Sequence, residues 1–467
     1  MSSTLAIALL VSELFGVLLA VDAVMRPRSP QGAIAWSVAL VSIPTVAIPV
    51  YLVFGRTQFR GYAEAVRDKE RQLDERMPDW YRRMAAFAAQ PKPGLERIEA
   101  VARRLTDVPF TGGNRVELLV DAEATYAAML DAIGQAQTYV WVQFYIVRDD
   151  RSGRALRDAL IKRARDGVRV CFLYDEIGSI KLPASYLDEM RRASIQVSGF
   201  RTTQGFRNRF QLNFRNHRKL LVVDGRTGFI GGLNLGDEYR GFRDTHLQIE
   251  GPAVQQIQLT LRKDWYWATR EIIDFADQPI VAAEPGQAVT IVNTGPADPV
   301  PKCSILFSEL VASARSRVWI ASPYFVPDDV MTRALQSAAK RGVDVRVVLP
   351  DEPDQRFVEL ASLTYYTEMM GSGVRLFRYK ARFMHHKVVL VDDNLAAVGT
   401  VNLDYRSLYL NFEETAVVAD RQFARRVEAM LEDDLAHCDE VAHGYLENEP
   451  LHIRIQARVA RLASPLL

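Results

Sequence analysis

The sequence predicts an α/β protein built from two homologous halves, preceded by an N-terminal transmembrane helical hairpin. Three observations carry this expectation. Two apolar stretches open the chain, an alternation of strands and helices then runs through it twice, and both runs end on one histidine-bearing pattern. At 467 residues the chain exceeds what a single hydrophobic core usually serves, so two domains with additions are expected. The expected division is a membrane hairpin over 1–56, a helical linker over 57–110, and homologous domains over 111–285 and 286–467.

The apolar stretches run from about Thr4 to Met25 and from Ala33 to Phe54, each long enough to cross a hydrocarbon core as a helix. The connector Arg26-Pro-Arg-Ser-Pro30 is short, charged and proline-broken, which turns the pair into a hairpin. A cleaved signal peptide fits poorly, because no basic region precedes the first stretch and a second follows at once. Glu13 and Asp22 interrupt the first span and are costly at depth unless paired or near the interface. Pro44 and Pro49 should kink the second. Arg56, Arg60, Arg67, Lys69 and Arg71 outnumber Arg26 and Arg28, which places the remainder of the chain on the cytoplasmic side. Residues 57–110 then read as charged helix, broken at Pro78 and at Pro91-Lys-Pro93. Either a linker near the headgroups or a simple spacer fits.

Beyond residue 110 the first pass has a strand at Val116 to Val120, a helix from Ala122 to Ile133, and a strand opening at Tyr139. A helix around Ala155 and a strand from Val168 to Asp175 follow. The second pass repeats the order, with a strand at Val289 to Val292, a helix from Cys303 to Ser313, and a strand opening at Arg317. A helix from Ala334 then leads into Val343 to Asp351. Such alternation predicts βαβ units and a largely parallel sheet in each half. The period is far too long for a solenoid.

Charge and cysteine content exclude other classes. Lys+Arg of 58 against Asp+Glu of 57 gives no support for a nucleic-acid binder. Cys171, Cys303 and Cys438 are odd in number and form no CxxC pair, which argues against a disulfide framework or a zinc site.

The chemistry sits at the end of each pass. The first reads His217-Arg-Lys219, four apolar residues, Asp224, then Gly231-Gly-Leu-Asn234; the second reads His385-His-Lys387, four apolar residues, Asp392, then Gly399-Thr-Val-Asn402. In both, asparagine follows histidine by 17 positions. One such match arises by chance in roughly a few per cent of chains of this length; two with identical trailing spacing do not. On a strand, His and Lys two apart project to one face. Lysine and asparagine on one rim suit phosphate oxygens, and histidine can act as nucleophile or proton carrier near neutral pH.

These residues resemble the paired HKD motifs of the phospholipase D superfamily, and the resemblance covers most of the chain after residue 110. It implies two α-β-α sandwich domains related by pseudo-twofold symmetry, with both motifs meeting in one active site. One histidine attacks phosphorus, the other protonates the departing oxygen, and a phosphohistidine is released by an alcohol or water without metal or cofactor. His217, Lys219, Asp224, His385, Lys387 and Asp392 form the implied catalytic set, with Asn234 and Asn402 on the substrate. A nucleophilic role for His217 and an acid–base role for His385 follow from relatives, not from the local residues. A narrower resemblance, to bacterial cardiolipin synthases, rests on Arg26 to Trp36, Tyr51 to Arg56, Phe214 to His217, Gly231 to Tyr239, Arg243 to His246, Ser322 to Pro327, Asn402 to Ser407 and Asn411 to Glu413. It implies that two phosphatidylglycerols give cardiolipin and glycerol at a bacterial inner membrane, with anionic phospholipids as partners. The family's further acidic residues map to Asp244 and Glu413 on the substrate side, with Glu414 a rival to Glu413.

Other readings stay beside these. Asp224 and Asp392 also suit strand-end or lysine-holding roles. His386 should face away from His385 and pack; His246 lines the cleft or packs. Trp265-Tyr-Trp267 fits a helix core better than lipid contact, and His437, His443 and His452 read as exposed helix residues. Water as acceptor would give phosphatidate, phosphatidylethanolamine could replace the second phosphatidylglycerol, and a lipid-binding scaffold has no need of two such histidines. Oligomeric state is not legible.

Overall fold

The computed structural model describes residues 3–25, 29–56, 58–72, 77–90, 92–205, 208–273 and 280–467. The first apolar stretch is one helix, Ser3–Met25. The second is two, Pro30–Ser42 and Pro44–Phe54, because Pro44 brings no N–H and its ring excludes the helical conformation at Ile43, which lies at φ −137° and ψ 56°. Leu19, Ala20, Ala23, Leu40, Ala47 and Tyr51 pack between these helices, while Leu10, Leu14, Leu18, Val38 and Val46 are exposed. Asp22 is not alone at depth: Tyr51 donates to it at 3.0 Å. Among the described residues no helix is long and apolar enough to cross a membrane. Arg26 and Arg28 of the connector lie outside the described residues, as does Pro91.

Residues 58–110 are not a spacer. They form the helices Arg60–Gln72, Met77–Ala86 and Glu96–Thr106. Pro78 sits in the first turn of its helix, where no intrahelical donor is needed. Phe59, Tyr62, Ala65 and Val66 are buried in the main core, and Ile98, Ala102 and Leu105 in that of the second half. The charged composition hid this, because each helix buries only one stripe and shows water the rest.

The first half carries β1 (Thr111–Val120), β2 (Tyr139–Phe144), β3 (Arg169–Asp175), β4 (Gln196–Phe200), a short β5 (Arg215–Asn216), β6 (Leu220–Val223), β7 (Thr227–Gly231) and β8 (Thr245–Glu250). The second carries β9 (Gln287–Thr294), β10 (Arg317–Ala321), β11 (Phe325–Val326), β12 (Asp344–Pro350), β13 (Arg375–Tyr379), β14 (Val388–Val391), β15 (Leu395–Gly399), β16 (Leu403–Asp404), β17 (Asn411–Ala419) and β18 (Cys438–Glu440). Strand order is β1-β8-β7-β6-β2-β3-β4 in one half and β9-β17-β15-β14-β10-β12-β13-β18 in the other. The two orders correspond strand for strand up to β18. Antiparallel pairing of β1 with β9 joins them into one 16-stranded sheet.

The expectation of largely parallel sheets is corrected. Along the strand order of the two halves, β2-β3-β4 and β10-β12-β13 pair in parallel, whereas β1, β8, β7, β6 and β2 are antiparallel, as are their counterparts. The reason lies in the motif itself. Three-residue turns, with Asp224 and Asp392 each at φ 51°, reverse the chain after β6 and β14, and so short a connection allows only an antiparallel partner. Aspartate tolerates that left-handed conformation better than most residues.

Alternation along β2 sends Val140 and Val142 into one layer with the helices Asp121–Gln135 and Arg151–Arg165, and Trp141 into the other with the helix Val254–Thr269. Trp265 and Trp267 are buried in that second layer, so the helix-core reading holds for them.

Candidate active site

The motif histidines sit just before β6 and β14, each held by backbone of the opposite half. β5 pairs in parallel with the start of β17, and the His217 N–H continues the ladder by donating to Phe412 O at 2.9 Å. Arg243 bridges Met384 in the same sense, and the His385 N–H donates to Arg243 O at 2.8 Å. In each case the accepting carbonyl belongs to the residue just before an acid.

That register crosses the acids over. His217 Nδ1 lies 2.9 Å from Glu413 Oε2, and His385 Nδ1 lies 2.5 Å from Asp244 Oδ2. Each histidine therefore has its carboxylate from the other half. An Nδ1–H donated to a carboxylate leaves Nε2 with the free lone pair, the tautomer assigned from these bonds. Thr400 Oγ1 and Asn411 Nδ2 also donate to Glu413, fixing its orientation. At the corresponding position Gly232 leaves room for the shorter acid: a Cβ there would meet Asp244 Oδ1 at 2.2 Å.

Lys219 and Lys387 are buried, and each ammonium donates to the carbonyl of its own motif histidine, at 2.6 and 2.5 Å. Burial pushes the Lys219 ammonium well down and Lys387 to about 8. Burial also takes His217 and His385 to about 4, with Glu413 and Asp244 opposing and the lysines of both halves assisting. Burial alone would raise the Asp244 carboxyl, yet Lys387 and His385 bring it down to about 2. Glu413 is lowered in the same manner against its own burial, chiefly by His217. Lysines of each half act on the histidine of the other, so the two motifs share one electrostatic site. Two buried lysines, two acids and two neutral imidazoles are thus gathered in one electrostatically coupled cluster.

Asn234 and Asn402 are buried nearby: Asn234 Oδ1 accepts from the Ile146 N–H at 3.2 Å, while Asn402 Oδ1 has no partner. Tyr145 stands edge-on to His217 at 4.9 Å with Lys219 Nζ 5.3 Å from its ring, and Phe242 and Phe383 flank His385. These three aromatics were missed, because single rings outside a repeat carry no spacing signal.

Asp224 and Asp392, expected in the catalytic set, are each engaged by backbone N–H groups instead of by a motif histidine or lysine. Each lies at the far end of its motif strand. Asp224 accepts from the N–H groups of Gln137, Thr138 and Tyr139 at 2.8 Å. Asp392 accepts from those of Arg315, Ser316 and Arg317. They fasten the start of β2 and β10, which is chemistry of folding. Glu414 is set aside as the rival to Glu413: the next residue on a strand faces the other way, and it lies 3.7 Å from Arg218 with its carboxyl pushed up to about 8 by burial. His386 packs, meeting Thr245 Oγ1 and lying 3.2 Å from Asp434. His246 is buried in β8 with both ring nitrogens unpartnered, pushed down to about 3. Arg218, between His217 and Lys219, donates from Nη1 to both carboxylate oxygens of Asp264 at 2.8 Å, and Asp264 also accepts from Tyr62, Gln143 and Asn216.

Two half-sites crossed over a pseudo-twofold define a two-histidine phosphodiester-handling protein. Residues 129–265 and 307–435 match the family described as "Cardiolipin synthase, PLD-like domain", and 14–56 match "Phospholipase_D-nuclease N-terminal". Cardiolipin synthase A of Pseudomonas aeruginosa is 45% identical over 479 residues, covering 100% of this chain and 97% of that one. Cardiolipin synthase A of Pseudomonas putida is 44% identical over 470 residues, covering 97% of each. A phosphatidylserine synthase structure from Haemophilus influenzae superposes with a TM-score of 0.60 at 14% identity, over 79% of this chain and 100% of that one; it speaks to the fold. The chain belongs to the phospholipase D-like cardiolipin synthase family.

Proposed function

We propose that this protein is a membrane-bound phosphatidyltransferase that converts two phosphatidylglycerols into cardiolipin and glycerol. The observation that carries the mechanism is the crossed pairing of His217 with Glu413 and of His385 with Asp244. His217 Nε2 attacks phosphorus and forms a P–N bond as the P–O bond to glycerol breaks. His385 gives its proton to the departing glycerol oxygen. A hydroxyl of the second phosphatidylglycerol then loses its proton to His385 and attacks phosphorus, breaking the P–N bond. Splitting one displacement into two is nucleophilic catalysis. Lys219, Lys387, Asn234 and Asn402 hold the phosphate oxygens through both steps.

Charge supports the sequence of events. An empty site keeps both imidazoles neutral, which suits His217 as nucleophile. An anionic phosphodiester brought beside the lysines offsets their positive charge and raises the affinity of His385 for the proton it must donate. The match of residues 14–56 and the exposed apolar side chains of the first three helices support anchoring of this end in the membrane, and the excess of Lys and Arg after residue 55 favours the cytoplasmic side for the two halves, 111–285 and 286–467. Purified protein given phosphatidylglycerol alone, with chelator present, should yield cardiolipin and glycerol by mass spectrometry. Phosphatidate as the main product would replace transfer by hydrolysis. Activity lost on chelation and restored by a divalent ion would overturn the metal-free mechanism.

A further inference from the structure

Among the described residues beyond the hairpin, an exposed apolar face on a single helix lies at the other end of the chain. The helix Leu451–Leu462 reads Leu-His-Ile-Arg-Ile-Gln-Ala-Arg-Val-Ala-Arg-Leu. Ala457 and Ala460 are buried in the core of the second half, which includes the helix Arg356–Met370. On the opposite side Leu451, Ile455, Val459 and Leu462 are 67%, 53%, 58% and 82% exposed. Their spacing puts all four within an arc of about 80° on a helix of 3.6 residues per turn. Arg454 and Arg458 border that arc on one side, and the helix holds no acidic residue.

We propose that this helix is a second membrane contact, lying on an anionic lipid surface with Leu451, Ile455, Val459 and Leu462 in the acyl boundary. Exposed apolar stripes rimmed by arginine match interfacial helices, whose binding combines apolar burial with attraction to anionic headgroups. An antiparallel second copy is the poorer occupant, since a twofold perpendicular to the helices would place both arginine rows on the same side of the contact. The helix is also tied to the site. Just past it, Leu466 O accepts from Arg406 at 3.1 Å, and Arg406 also grips Asn213 O at 2.6 Å, four residues before His217. Each half also leaves a large apolar side chain exposed outside this helix, Ile180 at 77% and Phe357 at 50%. Docking the helix thus holds the stretch that leads to His217 close to the lipid surface, through Arg406; the choice of anionic lipid rests on the proposed function.

The test uses the full chain with Cys438→Ser, leaving two buried cysteines, and Ile455→Cys carrying an environment-sensitive fluorophore. It is reconstituted in vesicles of phosphatidylglycerol and phosphatidylcholine in equal parts, or of phosphatidylcholine alone, with a quencher on the acyl chains. A blue shift and at least threefold stronger quenching in the anionic vesicles are expected, with Asp158→Cys labelled as the unquenched control. Emission unchanged from that in detergent would overturn the proposal. A blue shift in detergent without vesicles, lost on dilution, would assign the stripe to a second copy. Ile455→Asp with Val459→Asp should raise the apparent KM for vesicle lipid about tenfold at unchanged kcat, and leave turnover of detergent-dispersed phosphatidylglycerol within twofold. No cardiolipin from the unmodified protein in detergent would instead refute the proposed function and leave the fluorescence result standing.

Discussion

A buried imidazole whose pKa is depressed to about 4 is neutral at pH 7, so its reactivity depends on which ring nitrogen carries the proton. The carboxylates at Nδ1 decide that, and they leave Nε2 of each ring uncommitted to them. The motif aspartates work differently. Asp224→Ala and Asp392→Ala each strip a turn of several backbone hydrogen bonds, so each should lower stability by about 1–3 kcal/mol. Activity per folded molecule should stay near that of the parent; a loss beyond tenfold in fully folded protein would return these residues to the chemistry. His246 offers a pH prediction. Its folded pKa of about 3 lies below the ordinary 6.5, so between those values the unfolded chain binds the extra proton. Stability is therefore intact above pH 6.5 and falls on acidification, by about 1.4 kcal/mol per pH unit for each such proton. His246→Asn should reduce the slope of stability against pH by about one proton between pH 6 and 4.5; an unchanged slope in denaturant titrations would refute the assignment. The doubled motif made histidines, lysines and asparagines legible in the sequence. Glu413 over Glu414 came from the family resemblance alone, because adjacent acids on a strand differ only in face, and face depends on register with another half.

At the scale of elements, the helix Arg60–Gln72 is the piece that composition misrepresented. Its buried stripe is short, but Phe59 stacks on Phe214 at 5.3 Å and Tyr62 donates to Asp264 at 2.7 Å, in the layer beneath Arg218. Phe59→Ala should cost about 3–5 kcal/mol, as for other buried phenylalanines. Removing residues 1–56 spares this cluster and should leave a cooperative thermal transition. Removing 1–72 takes it away and should abolish that transition; equal melting of the two truncations would show the helix to be dispensable. Strand and helix positions were largely readable from periodicity, since most elements are a single amphipathic or fully apolar run. The antiparallel course of β6, β7 and β8 was not, because a three-residue turn around Asp224 looks in sequence like any loop.

For the molecule as a whole, duplication supplied two half-sites, and the join of β1 to β9 turned two sheets into one. No spacing rule within a half predicts that its acid serves the other half. The pairing can be read directly from covalent intermediates. With an activated phosphodiester that needs little help from an acid, a variant lacking the leaving-group acid should accumulate labelled enzyme, and one lacking the nucleophile should not. Crossed pairing predicts that Asp244→Asn behaves as His385→Ala does, and Glu413→Gln as His217→Ala does. Mass-spectrometric mapping should find adduct on His217 in Asp244→Asn and none in Glu413→Gln. Adduct on His217 in Glu413→Gln and none in Asp244→Asn would mean that each acid serves the histidine of its own half, and would contradict the crossed site; adduct on His385 in Glu413→Gln would instead exchange the roles of the two histidines.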